Sequence, residues 1–209
     1  GYYGRLLDWR NRNRLLGGVA AAGMTSYFYA PKEDACHRVF WREPYDKAWQ
    51  AEFTQFAATA AAKNIHLIAG IAPGLEFDFA SLDASMDQKN DFTILVAKAH
   101  QFLANGASII ALLMDDIAAD FEARSGSFSN EGRAHAALAN RLGSAIDAQI
   151  IIVPRIYADS LIMPDDAQSL TYLDQFTGHL DPQHQVVYCG GDIVAPRPFG
   201  DAGGHLNPA

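Results

Sequence analysis

Apolar positions along the chain fall into short β-type runs separated by longer segments with helical spacing. The runs are Thr25–Ala30, Ile65–Ile71, Ser108–Met114, Gln149–Val153 and Gln185–Tyr188, and their starts recur about every 40 residues. That interval holds one strand, one helix and two loops. Several runs are apolar on both faces, most plainly Ile109-Ile110-Ala111-Leu112-Leu113-Met114. Such a pattern predicts parallel strands covered on each side.

Between the runs lie Ala-rich segments with helical spacing. Trp49–Asn64 is one, with Asn64 as its C-terminal stop; Asp91–Asn105 ends at Asn105-Gly106, and Asn130–Ile146 is a third. Regular alternation of this kind predicts right-handed βαβ units. The fold class is therefore α/β, with a (β/α)8 TIM-type barrel first and a doubly wound open sheet second. Five strands are visible, and a sixth is expected to end just before Gly1. A closed barrel needs eight strands and typically about 250 residues. The expectation is a barrel incomplete at one or both ends. Residues 1–194 form the barrel domain, and the Pro/Gly-rich stretch 195–209 is a tail.

Composition narrows the partners. A length of 209 residues suits one domain, and 49% apolar with 19% charged residues is that of a chain with a real core. The net charge of −8 argues against nucleic acid or an anionic membrane surface as partner, since neutralising phosphates takes clustered Lys and Arg. The longest apolar runs fall far short of the roughly 20 residues of a membrane helix. No basic-then-apolar leader precedes the pattern, and Gly1–Arg5 reads as a loop. Cys36 and Cys189 lie in no CxxC spacing and fit a reducing compartment, which favours the cytoplasm while leaving localisation open. Oligomeric state is not readable.

In a βα barrel the reactive groups sit at the C-terminal ends of the strands. Here those ends read Tyr29–Asp34, Ala72–Leu75, Asp115-Asp116, Pro154–Tyr157 and Cys189–Gly191. The aspartate pair stands out, because six apolar residues run straight into two carboxylates. Adjacent carboxylates repel, so at least one is expected to hold a proton near neutrality, as a general acid must. The competing reading is that one of them caps a helix over Ile117–Ala123. The seven histidines show no paired ligand spacing, so no metal site is expected. His100 and His135 fall inside helical segments, and only His37 lies near a strand-end loop. There is no GxSxG, GxGxxG or GxxxxGK[ST] signature. Gly190-Gly191 reads as a turn or a close approach to a ligand. Lys32, past a buried strand, suits a ligand hydroxyl or carboxylate, or a salt bridge to Glu33 or Asp34. Tyr27, Tyr29 and Tyr157 suit either a sugar-sized pocket or the core.

Two blocks then carry a family resemblance. Gly1-Tyr2-Tyr3-Gly4-Arg5, followed by Tyr29-Ala30-Pro31-Lys32-Glu33-Asp34, His37-Arg38 and Phe40-Trp41-Arg42-Glu43-Pro44-Tyr45, resembles glycoside hydrolase family 84. Its members are β-N-acetylglucosaminidases, including O-GlcNAcases and enzymes of hyaluronidase type. Ile71–Leu75 is similar to the family's "SPGL" turn, and Leu112–Ile117 to its "LLFDDI" strand end, with Ala134-His135 and Asn140 matching in the next helix.

The resemblance implies retaining, substrate-assisted hydrolysis of terminal β-linked N-acetylglucosamine, in which the sugar's acetamido oxygen attacks C1 and forms an oxazoline. By position, Asp116 is the general acid/base and Asp115 orients the acetamido group. Gly1, Lys32 and Tyr157 match sugar-contacting positions. The implied partner is a glycan or glycoprotein bearing N-acetylglucosamine, with no metal or organic cofactor. The chain departs from the family at "CPTEY", here Val153-Pro154-Arg155-Ile156-Tyr157, and at "WTGP", here Tyr188-Cys189-Gly190-Gly191. The family's "WDN" residues for the distal hydroxyls have no counterpart before Ala209. Two alternatives follow: a non-catalytic N-acetylglucosamine-binding remnant, and a hyaluronidase-type polysaccharide hydrolase.

Overall fold

The computed structural model describes residues 6–115, 117, 121–162 and 167–194. Five parallel strands, β1 (Ser26–Tyr29), β2 (His66–Ile71), β3 (Ile109–Leu113), β4 (Ile150–Val153) and β5 (Gln185–Val186), form one sheet. Its order is β1-β2-β3-β4-β5, so each strand pairs with its neighbours in sequence. A doubly wound sheet reverses direction at a switch point; these strands do not. The progression is that of an arc of a βα barrel.

Five helices connect or flank the strands: α1 (Trp9–Ala21), α2 (Lys47–Ala61), α3 (Asp91–Ala104), α4 (Glu131–Ala145) and α5 (Ala167–His179). Short polar residues start four of them. Asp8, Asp46, Asn90 and Asn130 each accept a hydrogen bond from a first-turn backbone N–H, and Asn90 forms a reciprocal box with Thr93. Each such cap contributes about 1 kcal/mol. Asn64 stands just past α2 at φ 56°, and Gly106 just past α3 at φ 98°, where glycine meets no Cβ penalty.

The period-two alternation of the strands sorts the core into two clusters. Leu67, Ala69 and Ile71 of β2, Ile110 and Leu112 of β3, and Ile150 and Ile152 of β4 pack with the helices. The alternate residues, Ile68, Ala111, Leu113 and Ile151, make a smaller cluster on the opposite face together with Ala72. Truncating a helix-facing residue such as Leu112, fully buried, to Ala should cost about 2–5 kcal/mol. The aromatic side chains concentrate where α1 and α2 meet β1: Trp9, Tyr29, Trp49 and Phe53 pack ring to ring. At the other end of the sheet α4 and α5 approach so closely at Gly132 that a Cβ there would lie 2.1 Å from the Tyr172 carbonyl oxygen.

Three sequence expectations change. Helices α1 and α5 were not among the three predicted. Of the helix offered over Ile117–Ala123 as the competing reading, residues 118–120 lie outside the described residues, and Phe121–Arg124 forms a 3-10 turn. Tyr27 and Tyr29 face the helices rather than a pocket: Tyr29 is buried in the core, and Tyr27 Oη accepts from Arg12 Nη1 at 3.2 Å.

Candidate functional site

The loop after β1 carries Lys32 and folds back over the end of β2. Its shape rests on Asp34, whose Oδ2 accepts from Tyr29 Oη at 2.7 Å and from Tyr45 Oη at 3.0 Å. Oδ1 of the same carboxylate accepts from the Cys36 N–H at 3.0 Å. Burial, then the Asp34 charge, pushes both phenols far above their ordinary range, so they act as fixed donors. Lys98, reaching in from α3, donates to the Glu43 carbonyl and lies 4.0 Å over the Tyr45 ring. Burial lowers its ammonium to about 8.

Two further contacts clamp this loop to β2. The Ala72 N–H donates to the His37 carbonyl at 3.1 Å, and His37 Nδ1 lies 3.0 Å from the Gly70 carbonyl oxygen. That partner makes Nδ1–H the donor. Burial pushes the imidazole pKa down, keeping the ring neutral. Beyond it, Arg42 makes a two-pronged pair with Asp91 at 2.7 and 2.6 Å and donates to the Glu76 carbonyl. The loops after β1 and β2 are thereby tied to the first turn of α3.

At the C-terminal ends of β1, β2 and β3 these pieces border a small, solvent-open hollow lined by Ala30, Lys32, His37, Arg38, Ala72, Leu113 and Asp115. Lys32 and Asp115 therefore reach one cavity from two strands. His37 and Arg38 line it as well; the sequence reading placed them in the family block without giving them a role. Asp116 and Gly1 lie outside the described residues.

Tyr157 is half-buried in the loop after β4 and is not among the residues lining the hollow. Its carbonyl accepts from the Cys189 N–H at 2.7 Å, and Asp159 and Ser160 donate to the carbonyls of Gly190 and Gly191. Gly190-Gly191 is thus part of a backbone-paired turn that joins the ends of β4 and β5. Burial, followed by the Asp115 charge, raises the Cys189 thiol, which places this turn within electrostatic reach of the hollow. Among the described residues no group of three or more His, Cys, Asp or Glu is arranged to hold a metal ion, and no helix is long and apolar enough to cross a membrane.

Parallel strands in sequential order gather a carboxylate, a lysine and a histidine at their C-terminal ends, the face on which βα barrels carry their reactive groups. Comparison with known proteins makes the assignment specific. Residues 1–198 match the family model described as beta-N-acetylglucosaminidase, and the chain belongs to that family. It is 28% identical over 202 residues to Protein O-GlcNAcase of Mus musculus and, equally, to that of Rattus norvegicus, covering 93% of this chain and 21% of each relative. The chain thus spans about a fifth of the length of these curated relatives.

Among solved structures, CpGH84B is 27% identical with a TM-score of 0.77, over 94% of this chain and 33% of that one. A mutant of the Thermobaculum terrenum O-GlcNAc hydrolase is 26% identical with a TM-score of 0.80, over 92% of this chain and 40% of that one.

Proposed function

We propose that this chain provides the catalytic acids of a retaining β-N-acetylglucosaminidase, and that its five strands are an arc of an eight-stranded barrel. The observation that carries the reading is the presence of Asp115 and Lys32 in one hollow at the C-terminal ends of β3 and β1.

In the first step the sugar's acetamido oxygen attacks C1, and the bond from C1 to the leaving oxygen breaks with inversion. Asp116 donates its proton to that leaving oxygen. Asp115, as carboxylate, accepts the acetamido N–H, aligns the nucleophile and offsets the positive charge that grows on the oxazolinium ring. In the second step Asp116 takes a proton from water, which opens the oxazoline at C1 with a second inversion, so configuration is retained. Lys32 donates to a sugar hydroxyl, and Gly1 and Tyr157 complete the sugar contacts. The substrate is a terminal N-acetylglucosamine on a glycoprotein or glycan.

The test is release of phenol from an aryl β-N-acetylglucosaminide. The chain should turn it over, and Asp116→Ala should lose most activity on poor leaving groups and least on good ones. Equal rates for Asp116→Ala and the parent on a poor leaving group would contradict the assignment. Calorimetric binding of N-acetylglucosamine without turnover would favour a binding role for the same hollow.

A further inference from the structure

Behind the end of β4 the backbone and side chain of Arg155 reach, from two sides, Tyr172, His135 and Glu131, which form a ring of contacts with it: three at hydrogen-bond distance and a longer approach between His135 and Glu131. The Arg155 backbone N–H donates to Tyr172 Oη at 2.9 Å, and Tyr172 Oη lies 3.0 Å from His135 Nδ1. On the other side Arg155 Nε donates to Glu131 Oε2 at 2.6 Å, while Glu131 Oε1 lies 3.9 Å from His135 Nε2. Glu131 and His135 are one turn apart on α4, so the helix stacks them on one face. Tyr172 comes from α5, and the Arg155 guanidinium lies 4.9 Å over its ring.

Tyr172 Oη accepts from the Arg155 N–H and also pairs with His135 Nδ1, the tautomer of the imidazole setting which of the two donates. His135 Nε2 faces the side where Glu131 stands. His135 is fully buried, and among the described residues its Nε2 has no partner within hydrogen-bond distance. Burial, with the Arg155 and Arg124 charges, lowers this imidazole to about 3, so the ring stays neutral around pH 7.

The ring grips the backbone two residues before Tyr157. Between them Ile156 is buried in the core, and the Tyr157 carbonyl is held by the Cys189 N–H. Pro154 adds a fixed φ at the start of the segment. We infer that Arg155 is a positioning residue: by closing this ring it sets the segment that presents Tyr157 to the sugar. The inference rests on the proposed function for what Tyr157 touches, but the positioning itself is a property of the fold. A lysine supplies the charge without the planar, stacking fork, so Arg155→Lys restores only part of the effect.

The test labels the eight tyrosines of the chain with ¹³C and identifies the Tyr157 and Tyr172 signals by Tyr157→Phe and Tyr172→Phe. Arg155→Gln should shift or split the Tyr157 signal, Arg155→Lys should do so less, and Arg141→Gln, which removes a guanidinium stacked on Phe92 and bonded to the Ala84 carbonyl, should leave it in place. A Tyr157 signal unmoved in Arg155→Gln while the Tyr172 signal shifts would overturn the inference. Should Arg155→Gln not fold, an unmoved Tyr157 signal in Arg155→Lys beside a shifted Tyr172 signal would overturn it equally.

On an aryl N-acetylglucosaminide, Arg155→Gln should lower kcat roughly tenfold to a hundredfold with a much smaller change in KM, as misplaced groups do. Arg141→Gln should keep kcat at a similar loss of melting temperature, and equal losses in the two variants would overturn the inference. A parent chain without turnover would count against the proposed function alone, and the tyrosine spectra would still decide the positioning role.

Discussion

Lys32 and Asp115 line one hollow although they follow strands that are not neighbours, with β2 lying between them. β2 contributes small residues there: Gly70 leaves room for Ala30, Phe28 and Leu113 to pack over it, and Ala72 lies on the wall of the hollow. A lysine and a carboxylate can then face the same ligand across a strand that contributes almost no side chain. The arrangement explains why a cavity forms between β1 and β3.

Filling that gap should close the site. Ala72→Val is expected to abolish calorimetrically detectable N-acetylglucosamine binding, with a stability loss of about 1–3 kcal/mol from overpacking. Undiminished affinity in the folded variant would place the sugar elsewhere.

The Lys32 loop depends on the doubly bonded carboxylate behind it. Tyr45→Phe removes one of the two phenol donors to Asp34 Oδ2 in a buried setting. A loss of about 1–3 kcal/mol is expected in denaturant unfolding. A neutral substitution would show that Tyr29 and the Cys36 N–H satisfy Asp34 by themselves.

Gly132 marks the closest approach of α4 and α5. Since an added Cβ would meet backbone rather than a flexible side chain, Gly132→Ala must push the helices apart. Overpacking typically costs about 1–3 kcal/mol, and this contact belongs at or above the upper end of that range. Thermal melting checks it, and an unchanged midpoint would mean that the helices separate at no cost.

His135 makes stability depend on pH with a definite sign. Its folded value, about 3, lies below the ordinary 6.5, so the unfolded chain takes up a proton that the folded chain refuses. Its contribution is complete above about pH 6.5 and is lost as pH falls toward 3, by up to about 1.4 kcal/mol per unit. His37 and His184, also lowered by burial, act in the same direction. His135→Gln should therefore flatten the dependence of unfolding free energy between pH 6.5 and 4.5 by about one proton, without removing it. An unchanged slope would mean that His135 is protonated in the folded protein.

The central strands β2, β3 and β4 were legible because burial on two faces leaves uninterrupted apolar runs, and three helices because Asn64, Asn105-Gly106 and Asn130 mark their ends, whereas β1 and β5 are partly exposed and read from shorter runs. Helix α1 was hidden by composition: Arg10-Asn11-Arg12-Asn13-Arg14 and Gly17-Gly18 dilute its apolar face, and its ring packing comes from Trp9. Helix α5 did carry a signal in Tyr172, Leu173 and Phe176, three buried residues on one face. For the site, the positions of Lys32 and Asp115 were readable as strand ends. The roles of Asp34, His37 and Arg155 were not, since each depends on partners from other segments: Tyr45, the Gly70 carbonyl and Glu131.

The most direct measurement is the rate of a substrate series in which the acetamido methyl carries zero to three fluorines. Each fluorine weakens the carbonyl oxygen as a nucleophile. Turnover by the parent chain should fall steeply with each one, and Asp115→Asn should be slow throughout. A rate that does not respond to fluorination would contradict attack by the sugar's own amide and, with it, the roles given to Asp115 and Asp116.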